Sequence, residues 1–215
     1  MRRLIPLVAS LGGLAVLVAL GFWQLGRAEW KDGVIAAIEA RLGEAPVPLP
    51  VAPDPATDRY RAVRVTGRVG EGVGVFSTWR GPGPGYRIVA PFEADDGRRI
   101  LLDRGFAASP DGVRVPAGRV AVEGNLHWPE EREADPADGW EARDVPALAA
   151  ALGTEPILVV ARATSDPAGV RPIPLDIEGI PDNHLGYAVQ WFGLAAVWGG
   201  MSALWFRRAR RGRTP

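Results

Sequence analysis

Residues 4–26 read LIPLVASLGGLAVLVALGFWQLG and residues 185–206 read LGYAVQWFGLAAVWGGMSALWF, and neither stretch contains a charged side chain. The hydrocarbon core of a bilayer is about 30 Å thick, and roughly 20 helical residues cross it. Each stretch is therefore long enough to span a membrane. The sequence predicts two transmembrane helices, over residues 4–26 and 185–206, with a separate domain between them.

Basic residues flank both apolar stretches on their outer sides. Arg2 and Arg3 precede the first stretch, and five arginines follow the second within residues 207–215. Lys and Arg next to membrane spans stay on the cytoplasmic side. We therefore expect residues 1–3 and 207–215 to be cytoplasmic and residues 27–184 to lie in the periplasm, so that the protein is a multi-pass protein of the cell inner membrane.

The first stretch could instead be a cleaved signal peptide. Its apolar run is longer than the roughly 7–15 residues of a signal core. The segment Phe22-Trp23-Gln24-Leu25 is also a poor match to a small-residue cleavage site. These two features favour an uncleaved anchor.

Charge and cysteine content exclude several classes of function. All 25 acidic residues lie in residues 27–184 with 18 of the 25 basic ones, so this segment has a formal charge of −7 while the whole chain is neutral. This balance gives no indication of a nucleic-acid partner. The chain contains no cysteine, which excludes disulfides, thiolate metal sites and covalent haem attachment through Cys-x-x-Cys-His.

Apolar residues alternate with polar ones along much of the intervening segment, which predicts a β-rich domain. The predicted strands cover residues 63–69, 73–79, 86–92, 100–102, 120–126 and 157–161. We expect a small, mainly antiparallel sheet or partly closed barrel. Together with the membrane helices this makes the protein α+β.

Local signals place the remaining elements of this domain. Helical spacing over residues 30–42 continues the first span outward, and five prolines predict an extended linker over residues 45–57. Turns are expected at residues 81–85 and at Asp95-Asp96-Gly97. A short helix is predicted between Asp144, a suitable N-cap, and Gly153, which ends it.

Four further patterns have ordinary structural interpretations. The glycine-rich residues 70–74 open no helix and lack a following lysine, so a hairpin turn is favoured over a phosphate-binding loop. The acidic residues 130–138 are typical of a solvated loop rather than of a carboxylate pair. His127 ends a strand and is expected to be structural or exposed. No Gly-x-Ser-x-Gly occurs, and we predict that the protein is not an enzyme.

His184 stands directly before the second apolar stretch, where an ionisable side chain is a candidate for function. Asp182 or Asn183 is expected to cap a helix that begins at or just after His184. Helical spacing then places His184, Tyr187 or Ala188, Trp191 and Ala195 on one face. This face would suit a flat, iron-bearing ring whose iron accepts an imidazole lone pair. The alternative is an interfacial histidine in an aromatic belt.

At the membrane depth that corresponds to His184, the first span has Trp23, Gln24, Arg27 and Trp30. Arg27 could bind a carboxylate such as a haem propionate, or it could be an interfacial anchor. Small residues on both spans allow another helix to approach closely, either between the two spans or from a partner protein. These residues are Gly12, Gly13, Gly186, Gly193, Ala195, Ala196, Gly199, Gly200 and Ser202.

Six motifs in fixed order resemble those of a known family. They are Gly21-Phe22-Trp23-Gln24-Leu25-x-Arg27-x-x-Trp30-Lys31, Gly85-Tyr86-Arg87-Ile88-Val89-Ala90-Pro91-Phe92, Ile100-Leu101-Leu102-Asp103-Arg104-Gly105-Phe106, Val122-Glu123-Gly124-x-Leu126, Trp140-x-x-Arg143-Asp144 and Asn183-His184-Leu185-x-Tyr187-Ala188-x-x-Trp191-Phe192-x-Leu194-Ala195. The chain resembles the surfeit-locus-one family, assembly factors for cytochrome c oxidase, over nearly its whole length. Three positions depart from the family pattern: Gln190 replaces a common threonine, Asp182 a common asparagine and Phe106 a usual tryptophan.

The resemblance implies a membrane-anchored factor that helps to deliver or insert haem a into the catalytic subunit of the oxidase. The histidine of the Asn-His-Leu motif, His184 here, is the implied haem ligand. We expect non-covalent haem binding with Tyr187, Trp191 and Arg27 near the ring. The expected partners are the catalytic subunit, the haem a synthesis machinery and the lipid bilayer.

Two alternatives remain open. The protein could be a cofactor-free scaffold that stabilises an oxidase subunit during assembly. It could also be a tethered periplasmic hydrolase, although the sequence shows no compact catalytic cluster that would support this.

Overall fold

The computed structural model describes residues 4–79, 83–130, 139–177 and 183–211. In chain order the elements are α1 (Leu4–Leu42), β1 (Val47–Pro48), α2 (Pro55–Asp58), β2 (Ala62–Val69), β3 (Val73–Trp79), β4 (Gly83–Ala94), β5 (Arg99–Ala107), β6 (Val120–His127), α3 (Val145–Leu152), β7 (Leu158–Thr164) and α4 (His184–Arg211). These elements form an α+β protein, as predicted. They divide into two compact units, a helical unit from residues 1–37 and 178–215 and a sheet unit comprising Ile38–Ile177.

The helical unit contains most of α1 and all of α4. Helix α1 continues without a break through the predicted helix at residues 30–42. Helix α4 begins at His184, and the carbonyl of Asn183 accepts a hydrogen bond from Tyr187 N at 3.1 Å. Asn183 therefore occupies the position before the first helical residue. The other predicted cap, Asp182, lies outside the described residues.

Within the described residues, only α1 has the length and hydropathy of a membrane-spanning helix. Helix α4 is less apolar because tyrosine, glutamine, tryptophan and glycine interrupt its aliphatic residues. The predicted span at residues 4–26 thus lies in a helix of suitable composition. The span at residues 185–206 stays a prediction.

Five strands of the sheet unit close into a barrel. Strand β2 pairs with β6 and β4, β6 with β7, β7 with β5, and β5 with β4. The sheet is mixed rather than simply antiparallel, because β5 and β7 run parallel, as do β1 and β2. Strand β3 lies beside the first half of β4, and the second half of β4 pairs with β2. The expectation of a partly closed barrel is therefore confirmed, with parallel pairs that alternation does not reveal.

Alternate residues of these strands fill the barrel. Burying a valine, leucine or phenylalanine side chain contributes about 1.5–3 kcal/mol, so this cluster is the main source of stability in the unit. Its members are Val63, Val65, Val69, Ala90, Phe92, Ala94, Ile100, Leu102, Val120, Val122, Leu126, Ile157, Val159 and Ala161.

A second apolar cluster lies where α3 covers β5 and β7. Leu148 of α3 packs with Leu101 and Leu158. The helix has the predicted caps: Asp144 Oδ1 accepts from Ala147 N at 3.1 Å, and Gly153 ends it in the left-handed conformation at φ 62°. Local capping and apolar burial therefore agree on the position of α3.

Three local predictions need correction. The linker at residues 45–57 is not wholly extended, because Asp54 caps a single turn, α2, and β1 pairs with β2. Residues 70–74 do not form a hairpin turn, since β3 pairs with β4 instead of β2. Gly83 and Gly85 belong to β4 rather than to a turn. Residues 80–82 and 131–138, which include the rest of that turn and most of the acidic run, lie outside the described residues.

We predict that Gly105→Ala destabilises the barrel by about 3 kcal/mol or more. Gly105 has φ 117°, and an added Cβ would collide with the backbone carbonyl of Arg171, which accepts a hydrogen bond from Phe106 N at 2.7 Å. Chemical denaturation of the purified full-length protein, followed by tryptophan fluorescence, measures the change.

Gly112→Ala is the matched control. Gly112 also has a positive φ, 83°, but an added Cβ there has no neighbour within 4 Å. Its expected cost is only the backbone strain, about 1–2 kcal/mol. Equal losses for the two variants would contradict the role of the Gly105–Arg171 contact.

Candidate functional site

Helices α1 and α4 pack antiparallel within the helical unit. Gly21 is buried against Phe192, and an added Cβ at Gly21 would lie 2.6 Å from the phenyl ring. Further along, Trp198 Nε1 donates to the carbonyl of Ser10 at 2.9 Å. Small residues let helices pack closely, and the absence of a side chain at Gly21 makes room for the Phe192 ring.

Burial along α4 identifies the face that meets α1. Ala188 and Ala195 are 1% and 4% exposed, whereas Tyr187 is 50% exposed. His184 and Trp191 are half-buried. The face predicted from helical spacing therefore runs through His184, Ala188, Trp191 and Ala195, with Tyr187 beside it.

His184 meets Gln24 of α1 at the N-terminal end of α4. The distance from His184 Nδ1 to Gln24 Oε1 is 2.9 Å. The direction of this hydrogen bond follows the tautomer of the ring. The contact holds the imidazole in one orientation between the two helices.

The other predicted site residues are distributed around this contact. The guanidinium of Arg27 lies over the ring of Trp30, 4.4 Å from its centroid. This is a cation–π contact on the exposed surface of α1, one turn after Gln24. The structure therefore joins His184 to Gln24 and Arg27 to Trp30, while Tyr187 and Trp191 flank His184 on α4.

His184 is a single potential nitrogen ligand. In the described part of the chain, no group of three or more histidine, cysteine, aspartate or glutamate side chains could hold a metal. A porphyrin supplies four ligands to its own iron, so the protein needs to add only one or two axial donors. One oriented imidazole meets this requirement.

His127, the other histidine, has a structural setting. It is half-buried at the end of β6, and its ring lies 5.7 Å from the ring of Tyr60 at a tilted angle. This agrees with the structural interpretation drawn from the sequence.

Three of the sequence motifs meet inside the sheet unit, which sequence reasoning missed. Asp103 is completely buried and accepts a hydrogen bond from Arg87 Nε at 2.7 Å. Arg143 Nη1 lies 3.6 Å from the same carboxylate oxygen, and Gly105 N donates to the other oxygen at 3.1 Å. A charged residue inside the apolar strand β5 was the available signal for this cluster. Its role is structural, since a buried carboxylate must be paired.

The next residue, Arg104, is also buried. Its Nη2 donates to the carbonyls of Arg114 at 3.0 Å and Pro167 at 3.2 Å. Burial lowers the pKa of the Arg104 guanidinium, and the negative charge of Asp166 opposes this shift. These bonds attach the segments that carry Arg114 and Pro167 to β5.

The SURF1 family model matches residues 11–196, which include most of α1, the barrel and the first part of α4 with His184. This chain belongs to the SURF1 family. The resemblance inferred from the six motifs is therefore confirmed.

Individual SURF1-family relatives are about 30% identical to the chain. It is 31% identical over 203 residues to the SURF1-like protein of Monosiga brevicollis, covering 82% of this chain and 78% of that protein. It is 32% identical to Surfeit locus protein 1 of Homo sapiens, covering 80% and 68%. A third relative, the Cytochrome oxidase assembly protein SHY1 of Saccharomyces cerevisiae, is 32% identical over 168 residues, covering 64% and 41%.

We predict that Gly21→Leu weakens the packing of α1 on α4 by about 1–3 kcal/mol. The new side chain would displace Phe192, whose ring also meets that of Phe22 edge-on at a centroid distance of 5.4 Å. Thermal unfolding of the full-length protein in detergent should show the loss, and adding Phe192→Ala should restore part of it.

Gly26→Leu is the control on the same helix, because an added Cβ at Gly26 has no neighbour within 4 Å. A Gly21→Leu protein as stable as the Gly26→Leu protein would contradict the close approach at Gly21.

Proposed function

We propose that this SURF1-family protein is a membrane-anchored assembly factor for cytochrome c oxidase that binds haem a and assists its delivery to the catalytic subunit. The printed name of the yeast relative, an oxidase assembly protein, supports the assembly role. The contact between His184 and Gln24 supports the haem-binding role, because it presents an oriented imidazole at the start of α4.

The chemistry of the site suits temporary binding. When bound, haem supplies an iron that accepts an imidazole nitrogen on its axial position. The chain has no cysteine for covalent attachment. A single axial histidine can be exchanged for a ligand of the recipient protein, so the protein binds its cargo without retaining it. The proposal includes no catalysed reaction.

The neighbouring side chains have complementary tasks in this proposal. Tyr187 and Trp191 offer flat aromatic surfaces next to His184. The guanidinium of Arg27 lies over the Trp30 ring, and a guanidinium binds a carboxylate in a bidentate manner. We assign Arg27 to a propionate group of the haem.

We also propose that α4 crosses the membrane beside α1. No charged residue occurs from Leu185 to Phe206, and Arg207, Arg208 and Arg210 follow directly. Many apolar side chains of α4 are exposed in the isolated chain, as expected for a surface that contacts lipid. They are Leu185, Val189, Leu194, Val197, Met201 and Leu204. Both termini are then cytoplasmic, and residues 27–184 lie in the periplasm of a bacterial cell with the protein in its inner membrane.

A cofactor-free scaffold is the second candidate, and one observation favours it. Gly186, Gly193 and Gly200 recur every seven residues on α4, and an added Cβ at any of them has no neighbour within 4 Å. This spacing keeps the three glycines on nearly one side of the helix. A helix of the oxidase catalytic subunit, or of the haem a synthesis machinery, could pack closely there.

We predict that His184→Ala lowers the haem a content of the purified protein by at least about tenfold, since the proposed axial ligand is lost. Oxidase maturation should fall in the same cells, and the amount of protein in the membrane should not change. Absorption spectra of protein purified from cells that make haem a measure the content.

His127→Ala is the matched control, because it removes the other histidine of the chain. It should leave the haem spectrum unchanged. Full haem retention by His184→Ala would contradict the ligand role. A colourless wild-type protein that still supports oxidase assembly would favour the scaffold.

A further inference from the structure

Arg104 is the most deeply buried arginine among the described residues, with 6% of its surface exposed. Other arginines that are largely buried in the sheet unit have carboxylate partners. Arg87 pairs with Asp103 at 2.7 Å, and Arg98 pairs with Glu155 at 2.7 Å. In the described part of the chain, Arg104 forms no ion pair. A buried charge without a counter-charge is costly, so the setting of Arg104 is exceptional in this unit.

The guanidinium of Arg104 keeps hydrogen-bond donors in reserve. An arginine has five N–H donors, and its own chain occupies the two on Nη2, which donates to the carbonyls of Arg114 at 3.0 Å and Pro167 at 3.2 Å. The donors on Nε and Nη1 have no acceptor among the described residues. The carboxylate of Asp166 accepts from Ala168 N at 3.0 Å instead. A ligand can therefore supply the missing acceptor.

Arg104 lines an open cavity of about 220 Å³ in the sheet unit. Pockets for drug-sized ligands have volumes of about 300–1,000 Å³, so this cavity has room for a small group only. Apart from Arg104 the one charged residue in its lining is Glu71. The larger side chains of the lining are apolar, and they are Val73, Ile88, Pro110, Val113 and Val115.

Two glycines of the segment at residues 70–74 complete the wall of this cavity. An added Cβ at Gly72 would lie 2.5 Å from the carbonyl oxygen of Val89, and one at Gly74 would lie 3.0 Å from the side chain of Pro110. Neither position has room for a side chain. The glycine-rich segment, which lacks the features of a phosphate-binding loop, thus forms part of a cavity wall made of backbone.

We propose that this cavity binds a carboxylate carried by a short apolar group, with Arg104 as its counter-charge. A carboxylate accepts charge-assisted hydrogen bonds from a guanidinium, and the apolar lining packs against the rest of the ligand. One positive charge matches a monoanion, and the negative charge of Glu71 disfavours a dianion such as phosphate. The site lies wholly within the sheet unit, so the proposal is independent of haem binding by His184.

Such a carboxylate has two sources. It can belong to a free small acid, or it can be the C-terminal carboxylate of a polypeptide whose last side chain is apolar. The chemistry at Arg104 is the same for both, so the experiments distinguish them.

The first experiment titrates sodium butyrate into the full-length protein in detergent and follows it by proton–nitrogen NMR. We expect saturable shifts of the Arg104 Nε–H signal and of the amide signals of Gly72 and Gly74. Sodium chloride and butylammonium chloride at the same ionic strength should produce neither. An unchanged Arg104 signal, or an equal response to chloride, would overturn the proposal. Inorganic phosphate that binds more tightly than butyrate would overturn the choice of a monocarboxylate.

The second experiment changes the cavity without changing Arg104, whose bonds to two other segments support the fold. Val115 lines the cavity and is 41% exposed, so the protein should fold with Val115→Asp. The added negative charge should weaken butyrate binding at least about tenfold. Val51→Asp is the matched control, because Val51 is 91% exposed and lies outside this lining. Equal affinities of these two variants would overturn the location of the site.

The opposite change in charge is available at Glu71. Glu71→Gln removes the negative charge from the lining and should tighten butyrate binding about two- to fivefold. Weaker binding by Glu71→Gln would overturn the assignment of the bound group as an anion.

The third experiment identifies the source of the carboxylate with acetyl-glycyl-valine and its C-terminal amide. Tighter binding of the acid peptide than of butyrate would support the end of a polypeptide as the ligand, and weaker binding would support a free small acid. The amide should not bind. An amide that binds as tightly as the acid peptide would overturn the role of the carboxylate.

Discussion

The close approach of α1 and α4 at Gly21 is the constraint on which the functional account depends. Phe192 occupies the space that a side chain at position 21 would fill. A side chain at position 21 would therefore have to displace the Phe192 ring. The contact between His184 and Gln24 lies one turn further along α1. The imidazole is thus oriented by helix packing rather than by a loop, and a ligand on a rigid element is placed more precisely than one on a flexible segment.

In the barrel, the corresponding constraint is a buried carboxylate, that of Asp103. The carboxylate of Asp103 is withdrawn from water and is stabilised by Arg87, Arg143 and the amide of Gly105. Removing one member of such a cluster leaves an uncompensated buried charge, which costs about 3–5 kcal/mol. The polar residues shared by three of the sequence motifs therefore specify the fold of the sheet unit. The last sequence motif has a different role, because its polar residue His184 belongs to the proposed haem site.

Alternating and continuous runs of apolar residues were enough to locate six strands, and capping residues located α3, because these signals are local. The partners of the strands were not predictable in this way. The parallel contact of β5 with β7 and the closing contact of β2 with β4 join residues that are far apart in the chain. For the same reason, His184 was predicted as a site residue and its contact with Gln24 was not. His184 stands out in the sequence because it precedes an apolar stretch. Its contact with Gln24 depends on the packing of two helices, and the two residues are 160 positions apart in the chain.

The central claim is that α1 and α4 lie side by side in the membrane in the register that brings His184 to Gln24. Cysteine cross-linking in native membranes tests it directly, since the chain has no cysteine of its own. An added Cβ at Gly199 lies 3.7 Å from Leu14 Cδ1, the end of that side chain, so a short bifunctional thiol reagent should cross-link the double variant Leu14→Cys with Gly199→Cys. Val16→Cys with Val197→Cys, two exposed positions, should not be cross-linked. Rapid cross-linking of the second pair in place of the first would contradict the account.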